Sequence, residues 1–82
     1  MPQNETIMED QEFLEKLGQR IAQLRKQKGW TQVEFAEKLG IHRTALTRIE
    51  TGGTNLTVLT LRLICKNLDL EMNQFFDKNL PI

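Results

Sequence analysis

Apolar residues recur along most of the chain at steps of three and four, and the phase of the pattern resets at a few threonines and glycines. Phe13, Leu14, Leu17, Ile21 and Leu24 line one side of a helix that ends at Gly29. Its start has two candidates: Thr6 with Glu9 in capping-box register, and Asp10 as a second N-cap. In "TQVEFAEKLG", Thr31 and Glu34 form another capping box, Val33, Phe35, Ala36 and Leu39 are the inward candidates, and Gly40 stands where a left-handed C-cap is wanted. After Ile41 the pattern predicts a helix from Arg43 to Glu50, closed by the glycine pair of "TGGTN". Thr57 then caps a fourth helix with Val58, Leu61, Ile64, Cys65 and Leu68 inward. "EMNQFFDKN" makes a last short helix that Pro81 keeps from extending. With no alternating strand pattern and connections of roughly three to six residues, the expected fold is all-α, a compact five-helix bundle.

The expected organisation is a flexible N-terminal segment over residues 1–9, one domain over 10–78 and a short tail over 79–82. A chain of 82 residues holds a single core but not a walled substrate cavity as well. No carboxylate pair, nucleophile and base set or phosphate loop stands at a supporting spacing, so an enzyme is not expected. No apolar run approaches the roughly 20 residues of a membrane span, and "MPQNETIMED" lacks the basic and apolar regions of a secretory signal; the expectation is a cytoplasmic protein. Cys65 is the only cysteine and reads as a small core residue; with one histidine as well, no metal, cofactor or small-molecule ligand is expected.

Formal charge sums to zero, but unevenly. Residues 1–15 carry five carboxylates and no Lys or Arg, a net −5, whereas residues 16–50 carry eight Lys and Arg against three Glu, a net +5. The middle of the chain is therefore expected to present a basic face that the whole-chain charge conceals.

That middle segment also contains two helices joined through Gly40, Ile41 and His42, the layout of a helix-turn-helix. At about 100° per residue, with Arg43 at zero, Thr47, Thr44 and Arg48 fall near 40°, 100° and 140°, and Ala45, Ile49 and Leu46 near 200°, 240° and 300°. One side is apolar and the other polar. Arginine can bond bidentately to guanine, and threonine can bond a base edge or set its methyl against thymine, so Arg43, Thr44, Thr47 and Arg48 are the candidate base-contacting residues.

The run "LGQRIAQLRKQKGWTQVEFAEKLGIHRTALTRIETGGTNLTVLTLRLICKNLDL" resembles the Cro/C1-type, or XRE-like, helix-turn-helix family of lambda-repressor-like DNA-binding domains. "TQ" opens the second helix, "LG" closes it and "RIE" closes the third, as in the family pattern. "HRT", "IE" and "NLT" are most similar to the controller proteins of restriction-modification systems. The resemblance implies that Gln32 contacts a backbone phosphate at a helix N-terminus, where free N–H groups and the helix dipole favour an anion. It also implies phosphate contacts from Thr54, Asn55 and Thr57, and a buried structural ion pair between Arg25 and Glu50. His42, at the N-cap of the third helix, is expected to cap it or to contact phosphate. Ala45 departs from the tyrosine common in controller proteins, and Thr51 from their charged or asparagine residue. Trp30 stands in place of a smaller aliphatic and is expected to cap the core between the first two helices.

The implied partner is double-stranded DNA, with RNA polymerase a further possible partner. One eight-residue reading helix spans few base pairs, so a homodimer on a pseudo-palindromic operator is expected. Leu59, Leu63, Leu70, Met72, Phe75 and Phe76 are the candidate dimer interface, part of the cluster closing the monomer core instead. The implied function is an autoregulatory transcriptional regulator; the alternatives are a toxin-neutralising antitoxin that represses its own gene pair, a phage Cro-like repressor, and an adaptor that has lost DNA binding.

Overall fold

A computed structural model describes the backbone of residues 2–76 and the side chains of residues 9–76. Five helices follow in order: α1 Pro2–Gln27, α2 Gln32–Leu39, α3 Arg43–Thr51, α4 Val58–Asn67 and α5 Met72–Phe75. The tail, the end of the last predicted helix and Pro81 lie outside the described residues. α1 starts earlier than either candidate cap allowed, so Asp10 sits inside the helix.

The core consists of Ile21 and Leu24 from α1, Phe35, Ala36 and Leu39 from α2, Leu46 and Ile49 from α3, Leu61, Ile64 and Cys65 from α4, with Leu68 and Phe75 closing it. Burial pushes the Cys65 thiol above its ordinary pKa. Trp30 lies half-buried over this core, stacked on Phe35 at 5.5 Å between centroids, with the Lys38 ammonium 4.7 Å from its ring.

Three inward expectations fail. Phe13, Val33 and Val58 are 56%, 50% and 71% exposed. Val33 falls about 115° from the centre of the stripe made by Phe35, Ala36 and Leu39, too far round an eight-residue helix to be covered. Phe13 lies on α1 level with the end of α3 and shares an open cleft with Leu56, Val58 and Phe76. The candidate dimer cluster divides as well. Phe75 is fully buried in the core and Leu70 and Met72 pack against it, while Leu59 and Phe76 are 74% and 47% exposed and Leu63 39%. Phe75 is further held by α1, because the Arg20 guanidinium donates to its carbonyl and lies over its ring.

The closest approach of α1 to α3 occurs at Gly18. A Cβ built there would lie 2.3 Å from the Ile49 carbonyl oxygen and 2.5 Å from that of Glu50, so only a residue without a side chain lets the helices meet. Two turns earlier, the Gln11 side chain donates to the Gly52 carbonyl at 3.1 Å, giving the C-terminus of α3 a partner from α1.

Two turns further along α1, Arg25 reaches Glu50. Its Nε and Nη2 donate to the two carboxylate oxygens at 2.8 and 3.1 Å, and Nη1 donates to the Trp30 carbonyl at 2.7 Å. The residues are 6% and 7% exposed, yet no buried side-chain nitrogen or oxygen lacks a partner among the described residues. A planar fork against a planar carboxylate fixes angle as well as distance, so α3 is held against both sliding and rotation.

Two substitutions test these contacts. Gly18→Ala gains about 1 kcal/mol of helix propensity, but its methyl meets backbone that no rotamer can clear, and overpacking costs about 1–3 kcal/mol or more. It is expected to lower the thermal midpoint, whereas Gly53→Ala, whose nearest atom is 3.6 Å away, leaves it unchanged; equal midpoints would remove Gly18 as the crossing point. Glu50→Ala strands a buried guanidinium and is expected to cost about 3 kcal/mol in urea unfolding. Asp69→Asn, which weakens only the exposed Lys28–Asp69 pair, should not move the urea midpoint. An equal response to both would mean that the buried pair does not anchor α3.

Candidate nucleic-acid interface

The connection from α2 to α3 is set by its caps. Thr31 Oγ1 accepts from the Glu34 N–H at 3.1 Å and the Thr31 N–H donates to Glu34 Oε1 at 2.8 Å, which completes the capping box. The Thr31 N–H on its carboxylate, and second the nearby Thr31 hydroxyl, hold the Glu34 carboxyl below its ordinary pKa. At the other end Gly40 adopts φ 70°, and the Ile41 N–H returns to the Ala36 carbonyl at 3.0 Å, so the chain leaves α2 at a steep angle and enters α3 two residues later.

α3 begins at His42 as N-cap, but the imidazole makes no capping hydrogen bond and is exposed. Its capping role is therefore not realised, and the side chain is left beside the reading face. Leu46, Ile49 and Glu50 are buried and Ala45 is half-buried, whereas Arg43, Thr44 and Arg48 are exposed. The helix runs one residue past the expected end. That brings Thr51 to about 80°, the middle of the polar face. The Thr51 hydroxyl donates to the Thr47 carbonyl at 2.9 Å, which turns it back onto the helix. The glycine pair marks the limit of α3 but not whether Thr51 before it is the last helical residue, which the left-handed Gly52 cap decides.

Thr47 differs from its three companions. It is half-buried, and its hydroxyl lies 3.1 Å from Gln32 Oε1 and 3.0 Å from the Arg43 carbonyl oxygen. Gln32, the first residue of α2, donates from Nε2 to Glu50 Oε1 at 2.9 Å. Both residues expected to meet DNA directly are thus bonded within the protein, and they extend the Arg25–Glu50 pair into a chain of four side chains crossing α1, α2 and α3.

Beside α3 lies a cleft of about 540 Å³, with Ile41, Ala45, Ile49 and Leu56 along it and His42, Thr44, Arg48, Thr54, Asn55, Thr57 and Thr60 around them. The structure therefore brings together the expected base-contacting and loop residues, apart from Arg43, Thr47 and Gln32. Ala45 contributes to the opening, since a longer side chain there would project into it. The hydroxyl of Thr57 is partly committed: it accepts from the Thr60 N–H at 3.1 Å as the N-cap of α4 and donates to Thr60 Oγ1 at 2.9 Å. Thr54 and Asn55 line the cleft from the loop.

The basic face is narrower than the segment charge suggests. Arg25 is buried on Glu50, Arg20 is bound at Phe75, Lys28 pairs with Asp69 at 2.8 Å, and Lys38 lies over Trp30. The Lys28 ammonium holds the Asp69 carboxyl below its ordinary pKa through a hydrogen bond and its charge. Arg43 and Arg48 are the two guanidinium groups that α3 offers to solvent. A face with two planar donors, hydroxyls between them and a steeply crossing helix behind suits a grooved, polyanionic surface.

Comparison with known proteins agrees with this geometry. A family model described as helix-turn-helix matches residues 21–75. Antitoxin HipB of Escherichia coli strain K12 is 38% identical over 56 residues, which cover 68% of this chain and 64% of the antitoxin; the chain spans less than two thirds of the length of the curated relatives it matches. The crystal structure of the restriction-modification controller protein C.AhdI from Aeromonas hydrophila is similar with a TM-score of 0.72 at 32% identity, covering 77% of this chain and 96% of that one. The structure of SinR, the master regulator for biofilm formation, in complex with DNA aligns with a TM-score of 0.66 at 37% identity, covering 74% and 98%. The matched residues take in the end of α1 with Arg25 and the whole of α2, α3, α4 and α5, and the chain belongs to the helix-turn-helix family.

Proposed function

We propose that the chain is a sequence-specific, duplex-DNA-binding transcriptional regulator that acts as a homodimer on a pseudo-palindromic operator. The observation that carries this reading is the division of α3: one side is locked to α1 and α2, and the other leaves Arg43, Thr44 and Arg48 free. On this reading α3 enters the major groove, with the two arginines and Thr44 meeting base edges. Gln32 at the start of α2, with His42, Thr54, Asn55 and the N-terminus of α4 at Thr57, meets the backbone phosphates that set register. The likeness to a regulator solved on DNA and to a restriction-modification controller supports the reading, on which the protein would control its own promoter by excluding or contacting polymerase.

The second copy would dock on α4. Leu59 and Leu63 lie one turn apart on the side opposite Leu61, Ile64 and Leu68, and they are 74% and 39% exposed. Two copies related by a twofold axis would set their reading helices on half-sites about 34–36 Å apart. The likeness to antitoxin HipB favours a second reading, in which the same DNA-binding dimer also holds a toxin. The two differ in whether the neighbouring gene encodes a toxin.

Selection from a random duplex pool, followed by fluorescence anisotropy on the selected site, tests the DNA reading. Arg43→Ala and Arg48→Ala should each lose about 1–3 kcal/mol, roughly 5- to 150-fold in affinity, with relaxed preference at one position per half-site. Full affinity in both variants would mean that α3 is not the reading helix. For the dimer, Leu59→Glu and Leu63→Glu together are expected to give a folded monomer by light scattering, with operator binding greatly weakened. A variant that stays dimeric would move the seam elsewhere, the cleft of Phe13, Val58 and Phe76 being the next apolar surface.

A further inference from the structure

We infer that Thr47 reads no base and instead acts on DNA through Gln32, as the residue that aims its amide at a backbone phosphate; this rests on the DNA-binding function proposed above. Glu50 sets the first constraint. Both of its carboxylate oxygens accept from the Arg25 guanidinium, so the Gln32 group 2.9 Å from Oε1 is the donor Nε2. The amide orientation is thereby set by chemistry. Oε1 is turned to the opposite side, where the group 3.1 Å away must be a donor, and the Thr47 hydroxyl is the donor present. Valine would fit the same space without serving.

The hydroxyl has one proton and two acceptors within reach, Gln32 Oε1 and the Arg43 carbonyl oxygen at 3.0 Å. Either way the proton is spent inside the protein, and the β-branched side chain has little freedom at χ1 to turn away. Gln32 is different. One Nε2 proton goes to Glu50, and the other remains uncommitted. Gln32 is also the first residue of α2, and the capping box satisfies the N–H groups of Thr31 and Glu34, which leaves those of Gln32 and Val33 without an intrahelical partner. Three donors are thus available at one helix end. The side-chain donor stays in register only while Glu50 and Thr47 hold the amide from both sides. Thr47 therefore couples the reading helix to the phosphate clamp, so that base contacts and phosphate contacts form in one arrangement.

The test uses the full chain, with sequence selection and anisotropy on both the selected duplex and an unrelated one. Thr47→Val keeps the shape and methyl group and removes the hydroxyl. It is expected to weaken binding to both duplexes about tenfold, the loss of one hydrogen bond to a charged group, while selecting the same sequence as wild type. Gln32→Leu should do the same, and the double variant should be no weaker than either single one. Thr47→Ser, which keeps the hydroxyl and loses the methyl, should restore wild-type affinity and preference; a residue that merely filled space would not be rescued this way. The inference is overturned if Thr47→Val or Thr47→Ser selects a different base at one position of each half-site, or if the losses in the double variant add. A wild-type chain that selects no sequence at all would instead defeat the functional reading, and this inference with it.

Discussion

Arg25 reaches from the last turn of α1 to Glu50 in the last turn of α3, and what α3 offers to solvent is set by where that contact holds it. Burying two charges carries a desolvation cost that their attraction does not always recover, so the pair is not there chiefly for stability. Its use is geometric. Hydrophobic contacts from Leu46 and Ile49 press α3 onto the core but resist rotation about the helix axis only weakly, because apolar contact has no preferred angle. A bidentate pair has one. Gly18 removes the remaining freedom by letting the α3 carbonyls come within contact distance of α1, and Gln11 fixes the far end at Gly52. Three contacts along one face of α1 thus define a position that packing alone would leave loose.

The elements that were legible in the sequence are those specified by local chemistry. Thr31, Glu34 and Gly40 announce α2 because a capping box and a left-handed C-cap need only residues within one turn of each other. The two faces of α3 follow from its period, and the split between Leu46, Ile49 and the arginines stands. The Arg25–Glu50 pair, 25 positions apart, became legible through family likeness rather than spacing. Gly18 had no such signal, since its role depends on how close a second helix comes. Phe13 and Val58 were misplaced for a related reason: an apolar stripe says which side of a helix is greasy, not how far along that side the neighbouring helix extends. Phe75 and Phe76 are adjacent, and only the packing of α5 decides that the first enters the core and the second does not.

The candidate site shows the same limit. Residue type and helical phase placed Thr47 on the polar face at about 40°, close to its boundary with the buried side. Near a boundary the partner decides, and here Gln32 is within hydrogen-bond distance while the neighbouring Arg43 and Thr44 have no side-chain partner among the described residues. Segment charge misleads for a comparable reason. It counts Arg20, Arg25 and Lys28 as available, although each has been drawn into the fold by a carbonyl or a carboxylate.

With those cations spent on structure, the proposed interface has two guanidinium groups per reading helix rather than a broad basic surface. Non-specific attachment to DNA scales with the number of phosphates neutralised, so a face of this kind is poorly suited to adhering anywhere along a duplex. The carboxylates of Glu12 and Glu15, on the part of α1 that meets the end of α3 at Gly52, further limit any general attraction. Affinity must then come from groups that contribute only when correctly seated: planar forks over guanine edges, neutral amides and N–H groups on phosphates, and a second copy repeating them. Each of those depends on angle more than on charge. A protein that discriminates in this way gains little from extra lysines and a great deal from holding its reading helix still, which is the task given to the buried Arg25–Glu50 pair.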